Sequence, residues 1–420
     1  MPHQEALSVV ATLEPSRRSA LEQTLTGMRA DPGHNTLVPF AKLPNCHFGR
    51  VFCWDAMSDP QGNVLPPQLL LLADCDGSSD VFLADLVNVA GEGLDGVFGH
   101  CTDYPSNPSA ATRLDYLKNH RVKERAHYAH RPGRSVEQIK QEAELRVAVD
   151  EFLAHLDAED SSALQVRERV RAFVSAHPKL SSLIEPAPST ELGYRVRQTL
   201  DRVLRPLLVL LLGPVLTPVT SVGVLLIRLQ ELKENARHVR PERDHLDRLT
   251  VLEDHSAHNA YAAGGFVKPG ALRRAAIDSV LQLVDYGVRH LFNEDSLAGV
   301  KSIHFARWVP MPNRRMIFTS NFDGSVESYN DDFINLLGWG LNLVFSNGEA
   351  YPPTRWLIFG GANYEEHFKD HLRRHQIPVQ VAYSAYPTLS ARNIENNAAL
   401  RAGLSGNPSE EEAQAWLRLR

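Results

Sequence analysis

The chain has 420 residues, of which 43% are hydrophobic and 22% are charged. These values are typical of a folded globular protein with two or three domains, and they exclude a disordered or fibrous chain. The formal net charge of −6 leaves no global basic field for nucleic acid, so we expect no nucleic-acid partner. The N-terminus lacks a basic region followed by an apolar core, so we expect no secretory signal.

The cysteine pattern indicates a reducing compartment. The four cysteines all lie in the first quarter of the chain, and no two of them form a Cys-x-x-Cys pair: Cys46, Cys53, Cys75 and Cys101. A disulfide framework or a zinc site would need closer or more regular spacing. We therefore expect free, buried thiols.

The first 150 residues contain motifs that return later in the chain. The segment HFGRVF (47–52) precedes an apolar run that ends in Asp76-Gly77, and VFGHCTDYP (97–105) follows that run. A strand pattern near the N-terminus leads to Pro15 at the start of a helix, where the missing N–H of proline costs nothing. We assign residues 1–150 to a first unit.

The middle of the chain, residues 151–250, differs in composition and is predicted to be a helical insertion. Two amphipathic helix patterns and a Pro-rich linker precede residues 206–227, which are 22 residues without a charge and have arginines on both flanks. This stretch is long enough to span a bilayer. Three prolines and two glycines inside it favour a helix–break–helix hairpin that dips into one leaflet. A hairpin buried in a protein core is the alternative.

Residues 251–420 repeat the motifs of the first unit in the same order: HFARWV (304–309), Asp323-Gly324 and VFSNGEAYP (344–352). This preserved order indicates a gene duplication. Each copy predicts strand, helix, strand, strand, helix and strand, which is the ferredoxin-like order. We therefore predict an α+β fold in which two duplicated ferredoxin-like units pack their sheets as an α+β barrel, with the helical insertion between the copies.

This arrangement resembles the dimeric α+β barrel superfamily, whose haem-binding members include chlorite dismutases and dye-decolourising peroxidases. The segment SNFDG (320–324) is similar to the G-x-x-D-G motif of those peroxidases, with Ser320 in place of the first glycine. The resemblance implies that Asp323 is a distal haem acid that assists peroxide cleavage. The alternative, for Asp76 as well, is a helix N-cap followed by a turn that glycine permits.

The resemblance also implies a haem whose iron is held by a histidine on a helix of the second unit. His367, His371 and His375 are spaced four apart and share a helix face, and His290 ends another helix. The alternatives are a solvated helix face for the first three and, for His290, a favourable interaction with the helix C-terminus.

Arg307 is the second candidate catalytic residue. It shares a strand face with Phe305, where it would bind an anionic substrate group or stabilise a peroxide oxygen. The alternative is a structural ion pair with Glu349. His304 differs from Arg307 by an odd number of positions, so we expect it on the opposite face of the strand.

His255 and His258 are a candidate metal pair. They belong to the polar segment EDHSAHNAY (253–261), which has no counterpart in the first unit. Because they are three residues apart, one helical turn would place both beside a metal ion. A polar loop without a metal is the alternative.

Two classes of function follow. The first is a haem-dependent, peroxidase-like oxidoreductase at a membrane surface, with an apolar or lipid substrate. The second is a non-catalytic barrel that binds lipid or another small molecule. Both place the protein at the cytoplasmic face of a membrane, as a peripheral or monotopic protein with membrane lipid as its partner, and both leave open a homo-oligomer.

Overall fold

A computed structural model describes residues 3–156, 161–187, 189–234, 237–292 and 296–419. The fold is mixed α/β, with two four-stranded antiparallel sheets. Their strands are β1 (Gln4–Thr12), β2 (Cys46–Trp54), β3 (Gln68–Asp76), β4 (Ala126–Ala129), β5 (His258–Phe266), β6 (Ile303–Met311), β7 (Arg315–Asp323) and β8 (Val381–Ser384). Residue pairs 57–58 with 64–65, and 354–355 with 359–360, form two further short ladders.

The α-helices surround these sheets. They are α1 (Arg18–Arg29), α2 (Ser79–Ala90), α3 (Gly93–Phe98), α4 (Ala110–Asn119), α5 (Val136–Ala154), α6 (Ala163–Ala176), α7 (Leu192–Glu231), α8 (Arg243–Thr250), α9 (Ala271–His290), α10 (Val326–Phe345), α11 (Glu365–His375), α12 (Ala391–Ala402) and α13 (Glu410–Leu417).

Each sheet takes one strand from the other half of the chain. The strand order is β1-β3-β2-β8 in the first sheet and β4-β6-β7-β5 in the second. Val381 of β8 pairs with Val51 of β2, and Ala126 of β4 pairs with Trp308 of β6. Main-chain hydrogen bonds therefore interleave the two halves at both sheets.

The two sheets pack face to face, and helices cover their outer faces. Side chains of both inner faces meet in one apolar cluster, for example Phe52 and Leu70 with Val309 and Ile317. All nine residues of β2 and of β3 are buried. Strands covered on both faces have no solvated side, which explains why their sequences read as apolar runs without alternation.

Corresponding strands of the two halves have the same lengths and irregularities. The pairs β1 and β5, β2 and β6, and β3 and β7 are nine residues each. Both β2 and β6 carry a bulge after their first residue. Gly77 and Gly324 follow β3 and β7 with φ of 77° and 84°, the region that glycine adopts without strain.

The hairpin expected over 206–227 is wrong, because α7 is one helix of 40 residues with Pro206, Pro214 and Pro218 inside it. Proline lacks the N–H that the carbonyl four residues earlier would accept. For Pro206 that carbonyl belongs to Arg202, and it accepts instead from the hydroxyl of Tyr286 on α9 at 3.0 Å. This hydrogen bond satisfies the carbonyl that the proline leaves without a donor, and it attaches α7 to α9.

Both ends of α7 contact the second half. Near the N-terminal end, Asp201 Oδ2 lies 2.9 Å from His290 Nε2 of α9. At the other end, buried Glu231 accepts from the hydroxyl of Thr354 and from the N–H of Leu357. The side chains between these two docking points, from 206 to 222, are exposed except for partly exposed Gly213.

Candidate functional site

The bulges of β2 and β6 determine which side chains lie between the two sheets. A bulge inserts one unpaired residue, so that two consecutive side chains point to the same face of the sheet. His304 and Phe305 of β6 both face the first sheet, since each contacts the ring of Phe48. The expectation that His304 and Arg307 lie on opposite faces is therefore wrong, because alternation fails at the bulge.

The first half forms a hydrogen-bonded centre around Asp76. Oδ1 of this carboxylate lies 3.0 Å from His47 Nε2 and accepts from Gln4 Nε2 at 2.9 Å. Oδ2 accepts from the N–H of Val136, the first residue of α5, at 2.9 Å. His47 Nδ1 lies 2.9 Å from the hydroxyl of Tyr386.

The second half forms the equivalent centre around Asp323. Oδ1 lies 2.7 Å from His304 Nε2 and 3.3 Å from His258 Nε2. Oδ2 accepts from the N–H of Ala391, the first residue of α12, at 2.7 Å. His258 Nδ1 lies 2.9 Å from the hydroxyl of Ser384. His258 thus occupies the place that Gln4 takes in the first half.

The expectation that Asp76 and Asp323 cap the helices that follow them is wrong. Ser78 caps α2 and Ser325 caps α10, each by accepting a hydrogen bond from a backbone N–H of the first turn. The glycine turn carries the chain past the aspartate, which leaves its carboxylate free to reach the N-terminus of a different helix. There it satisfies an orphan N–H and complements the helix dipole.

Both centres are largely buried between the two sheets. Tyr386 lies between the two, with its ring 5.9 Å from that of His47 and 6.1 Å from that of His304. Burial raises the pKa of Tyr386. Burial also lowers the pKa of His258 to about 4, assisted by the neighbouring His304. His258 is therefore neutral at physiological pH.

Arg307 is committed to the contact between the sheets. Its guanidinium donates to the carbonyls of Leu7 and Ala73 and lies 2.5 Å from Asp74 Oδ1. Burial raises the pKa of Asp74, but the charge of Arg307 and a hydrogen bond from His127 outweigh it and hold the pKa at about 2. Arg307 therefore forms a structural ion pair, which was the alternative to a catalytic role, and its partner is Asp74.

The expected ion pair of Arg307 with Glu349 is wrong, because Glu349 pairs with Arg314 at 3.4 Å. In the first half, Arg50 makes the reciprocal contact: it donates to the carbonyls of Tyr261 and Ser320 in the second sheet. Each half thus inserts one buried arginine into the backbone of the other.

The candidate haem ligands lie at three separate places. His290 contacts Asp201 where α7 docks. His367 lies beside His238 at the surface, with ring centroids 4.9 Å apart. His371 is buried, and its Nδ1 lies 3.0 Å from the carbonyl of Ala350. The solvated face proposed for this helix therefore does not extend to His371.

His371 and His375 line a cavity of about 80 Å³ on the outer face of the second sheet, beneath α9, α10 and α11. Most of the lining is apolar and includes Phe266, Ile277, Trp308, Phe318, Phe345 and Leu372. The indole N–H of Trp308 is buried and has no hydrogen-bond partner among the described residues. An unpaired buried donor is costly, so this N–H is a ready anchor for a ligand acceptor.

The groups expected to act on one haem do not meet in this cavity. Trp308 lines it, so the neighbouring Arg307 points to the opposite face of β6. Asp323 lies five residues beyond the cavity-lining Phe318 on β7, about 17 Å along the strand, and also faces the first sheet. The histidines of α11 are therefore separated from both Asp323 and Arg307.

His255 and His258 do not form a metal pair. His255 is exposed, and its Nε2 lies 3.0 Å from the carbonyl of Val251. His258 instead joins His304 and Asp323, with one ligand atom of each within 4.8 Å of the others. The sequence signal for this grouping was the repeated His and Asp-Gly pattern, together with an antiparallel register that sets the first residue of β5 opposite the last of β7.

Comparisons of the chain with protein-family models, with curated proteins and with solved structures find no match. The geometry of the cavity, of the two His–Asp centres and of α7 is therefore the basis for the function.

Proposed function

We propose that this protein binds a small apolar ligand, such as a lipid acyl chain with a polar head, while it is attached to a membrane surface. The observation that carries this proposal is the apolar cavity in the second half, the half on which α7 also docks. Binding sites for small molecules are mostly apolar, with a few polar groups that fix the ligand. The cavity, of about 80 Å³, has this composition and takes part of an acyl chain.

The polar groups of the cavity favour a ligand with a hydrogen-bond acceptor. Trp308 supplies a buried, unpaired N–H. Burial lowers the pKa of His371 and of His375, so both imidazoles are neutral at physiological pH. A hydroxyl, carbonyl or protonated carboxyl group of a lipid would suit these partners better than a strongly charged head.

The helix α7 supports attachment to a membrane. Leu and Val side chains of 206–227 are exposed around the helix, and only 6% of its most apolar stretch of 18 residues is buried. Because both ends of α7 contact the folded body of the protein, the helix is placed to lie in one leaflet rather than to cross the bilayer. This arrangement favours a monotopic protein, with the flanking arginines near anionic headgroups, and we propose the cytoplasmic face as its location.

We also propose that the two halves are copies of one ferredoxin-like unit, packed as an α+β barrel with exchanged fourth strands. Support comes from the equal strands, the repeated bulges and the equivalent serine caps Ser135 and Ser390 of α5 and α12. The matching contacts of Asp76 and Asp323 extend this correspondence to single side-chain atoms.

Ligand binding is tested with cis-parinaric acid, a fluorescent fatty acid, on detergent-solubilised protein. Ala263 lines the cavity and is 8% exposed, so Ala263→Phe should fill part of the cavity and weaken binding at least tenfold. Leu336→Phe adds the same ring at an exposed position outside the cavity lining and should bind like wild type. Equal affinity in all three proteins would refute the cavity as the site.

A haem-dependent, peroxidase-like oxidoreductase remains the second candidate. The observation that favours it is that His371 and His375 line a cavity between a sheet and its covering helices. Either histidine could hold an iron, but a cavity of about 80 Å³ is too small for a haem without rearrangement. The expected distal acid is also absent from it, because Asp323 and Arg307 face the other side of the sheet. A Soret band in protein expressed with haem supplied, lost in His371→Ala or His375→Ala, would favour this candidate over lipid binding.

A further inference from the structure

We propose that His258, His304 and Asp323 bind one divalent transition-metal ion of the zinc class. One ligand atom of each residue lies within 4.8 Å of the other two. Two imidazoles and one carboxylate form the ligand set of many zinc and non-haem iron sites that keep a position open. The inference is independent of the apolar ligand proposed above, since the cavity lies on the other face of the second sheet.

The distances are close to those that a bound ion requires. A tetrahedral ion with bonds of about 2.0–2.1 Å holds its ligand atoms about 3.3 Å apart. His258 Nε2 lies 3.3 Å from Asp323 Oδ1, and His304 Nε2 lies 2.7 Å from the same oxygen. The two histidine ligand atoms lie within 4.8 Å of each other, so an ion between the three groups would require His304 to move back from this oxygen.

Neighbouring groups already orient two of the three ligands. The hydroxyl of Ser384 lies 2.9 Å from His258 Nδ1, so this ring presents Nε2 to the centre. The N–H of Ala391 holds Asp323 Oδ2, which leaves Oδ1 for the ion. Outer partners of this kind fix ligand rings and carboxylates in metal sites.

Binding changes the tautomer of His258. Without metal, His258 Nε2 lies 2.8 Å from the carbonyl of Leu389, to which it donates its proton. On binding, the ring stays neutral with its proton on Nδ1, which donates to the hydroxyl of Ser384, and the lone pair freed on Nε2 binds the cation. The side chain of Asp323 is 16% exposed, so the centre has a route for the ion and for a water molecule at the open position.

The first half supplies an internal comparison. There Gln4 replaces His258, and its amide contacts Asp76 Oδ1 and the carbonyl of Arg134, much as His258 contacts Asp323 Oδ1 and the carbonyl of Leu389. An amide is a far weaker ligand for a transition metal than an imidazole. We therefore infer one ion per chain, in the second half only.

The test is a calorimetric titration of EDTA-treated protein with Zn²⁺, repeated with Co²⁺ while the visible absorption is recorded. All variants carry His238→Ala, which removes the exposed group of His238, Glu366 and Asp370 as a background site. The reference protein should bind one Zn²⁺ tightly and show the Co²⁺ bands of a nitrogen- and oxygen-ligated ion. His258→Gln reproduces the first-half arrangement, so it should fold normally but bind at least 100-fold more weakly.

Gln4→His tests the same idea in the opposite direction. It completes a second set with His47 and Asp76, so the stoichiometry should rise from one ion to two. No tight binding by the reference protein, or unchanged binding in His258→Gln with an unchanged melting temperature, would overturn the proposal and leave a hydrogen-bond network only. Circular dichroism and the melting temperature establish that each variant is folded.

Discussion

The exposed middle of α7 offers a direct test of membrane attachment. Leu210, Leu211 and Leu212 are 74%, 67% and 43% exposed. Their joint replacement by Asp should leave the fold intact, because substitutions of exposed residues usually change stability by no more than about 0.5 kcal/mol each. The same replacement should release the protein from membranes.

The free energy of membrane binding is estimated from the exposed side chains of α7. Complete burial of one Leu or Val side chain contributes about 1.5–3 kcal/mol. Thirteen Leu and Val side chains in 206–227 are 40% to 74% exposed. Their transfer into lipid would contribute roughly 10–20 kcal/mol if all of them enter, and about half of that if only one side of the helix enters. Even the lower figure is similar to that of one acyl chain. Three aspartates, each costing up to about 3 kcal/mol in the hydrocarbon region, would cancel it.

The assay is flotation of purified protein with anionic vesicles, in low and in high salt. Wild type should float under both conditions, and the triple Asp variant should stay at the bottom. The control variant has Asp in place of Val64, Val81 and Val147, which are exposed in the first half. It carries the same added charge and should float. A wild type that stays soluble and monomeric without detergent would refute attachment; a soluble dimer that the triple variant dissociates would show that a second copy covers the helix.

Three further predictions test the buried Arg307–Asp74 pair and the docking of α7. Arg307→Met should destabilise the protein by about 3–5 kcal/mol in urea denaturation, because it leaves the buried Asp74 without its arginine; a loss below about 1 kcal/mol would contradict this role. The pKa of Asp74 is about 2 in the folded state against 3.8 ordinarily, so its contribution of about 2 kcal/mol is present above pH 4 and is lost as the pH falls towards 2; Asp74→Asn should flatten this part of the stability profile. Tyr286→Phe leaves the carbonyl of Arg202 without its donor and should cost about 1 kcal/mol, with earlier proteolysis of α7 as the readout.

Sequence patterns located the repeated elements but not the way they combine. The Asp-Gly pairs and the motifs around His47 and His304 were visible because identical residues recur in the same order. No local pattern shows that β8 joins β2, since the partner of an edge strand is chosen by packing in the complete fold. The bulges were also hidden, and they reversed the predicted orientation of His304.

The interpretation of 206–227 failed for a different reason. Proline was assumed to break the helix, whereas the chain continues through Pro206 because a hydroxyl from α9 satisfies the freed carbonyl. The aspartates were assumed to act locally, whereas their partners are helices 60 and 68 residues further along. Long-range partners of this kind decide the candidate site, and a single sequence does not specify them.

The exchanged strands also have a consequence for synthesis of the protein. The last residue of β2, Trp54, is made long before β8, which ends at Ser384. At about 5–20 residues per second, the intervening chain takes roughly 15–65 s to emerge from the ribosome. Throughout that time the edge of β2 lacks its partner, and an unpaired edge strand readily pairs with other chains. Nascent chains therefore need protection until the final strand arrives, and polysomes with crowded nascent chains are where mispaired, intertwined dimers would form.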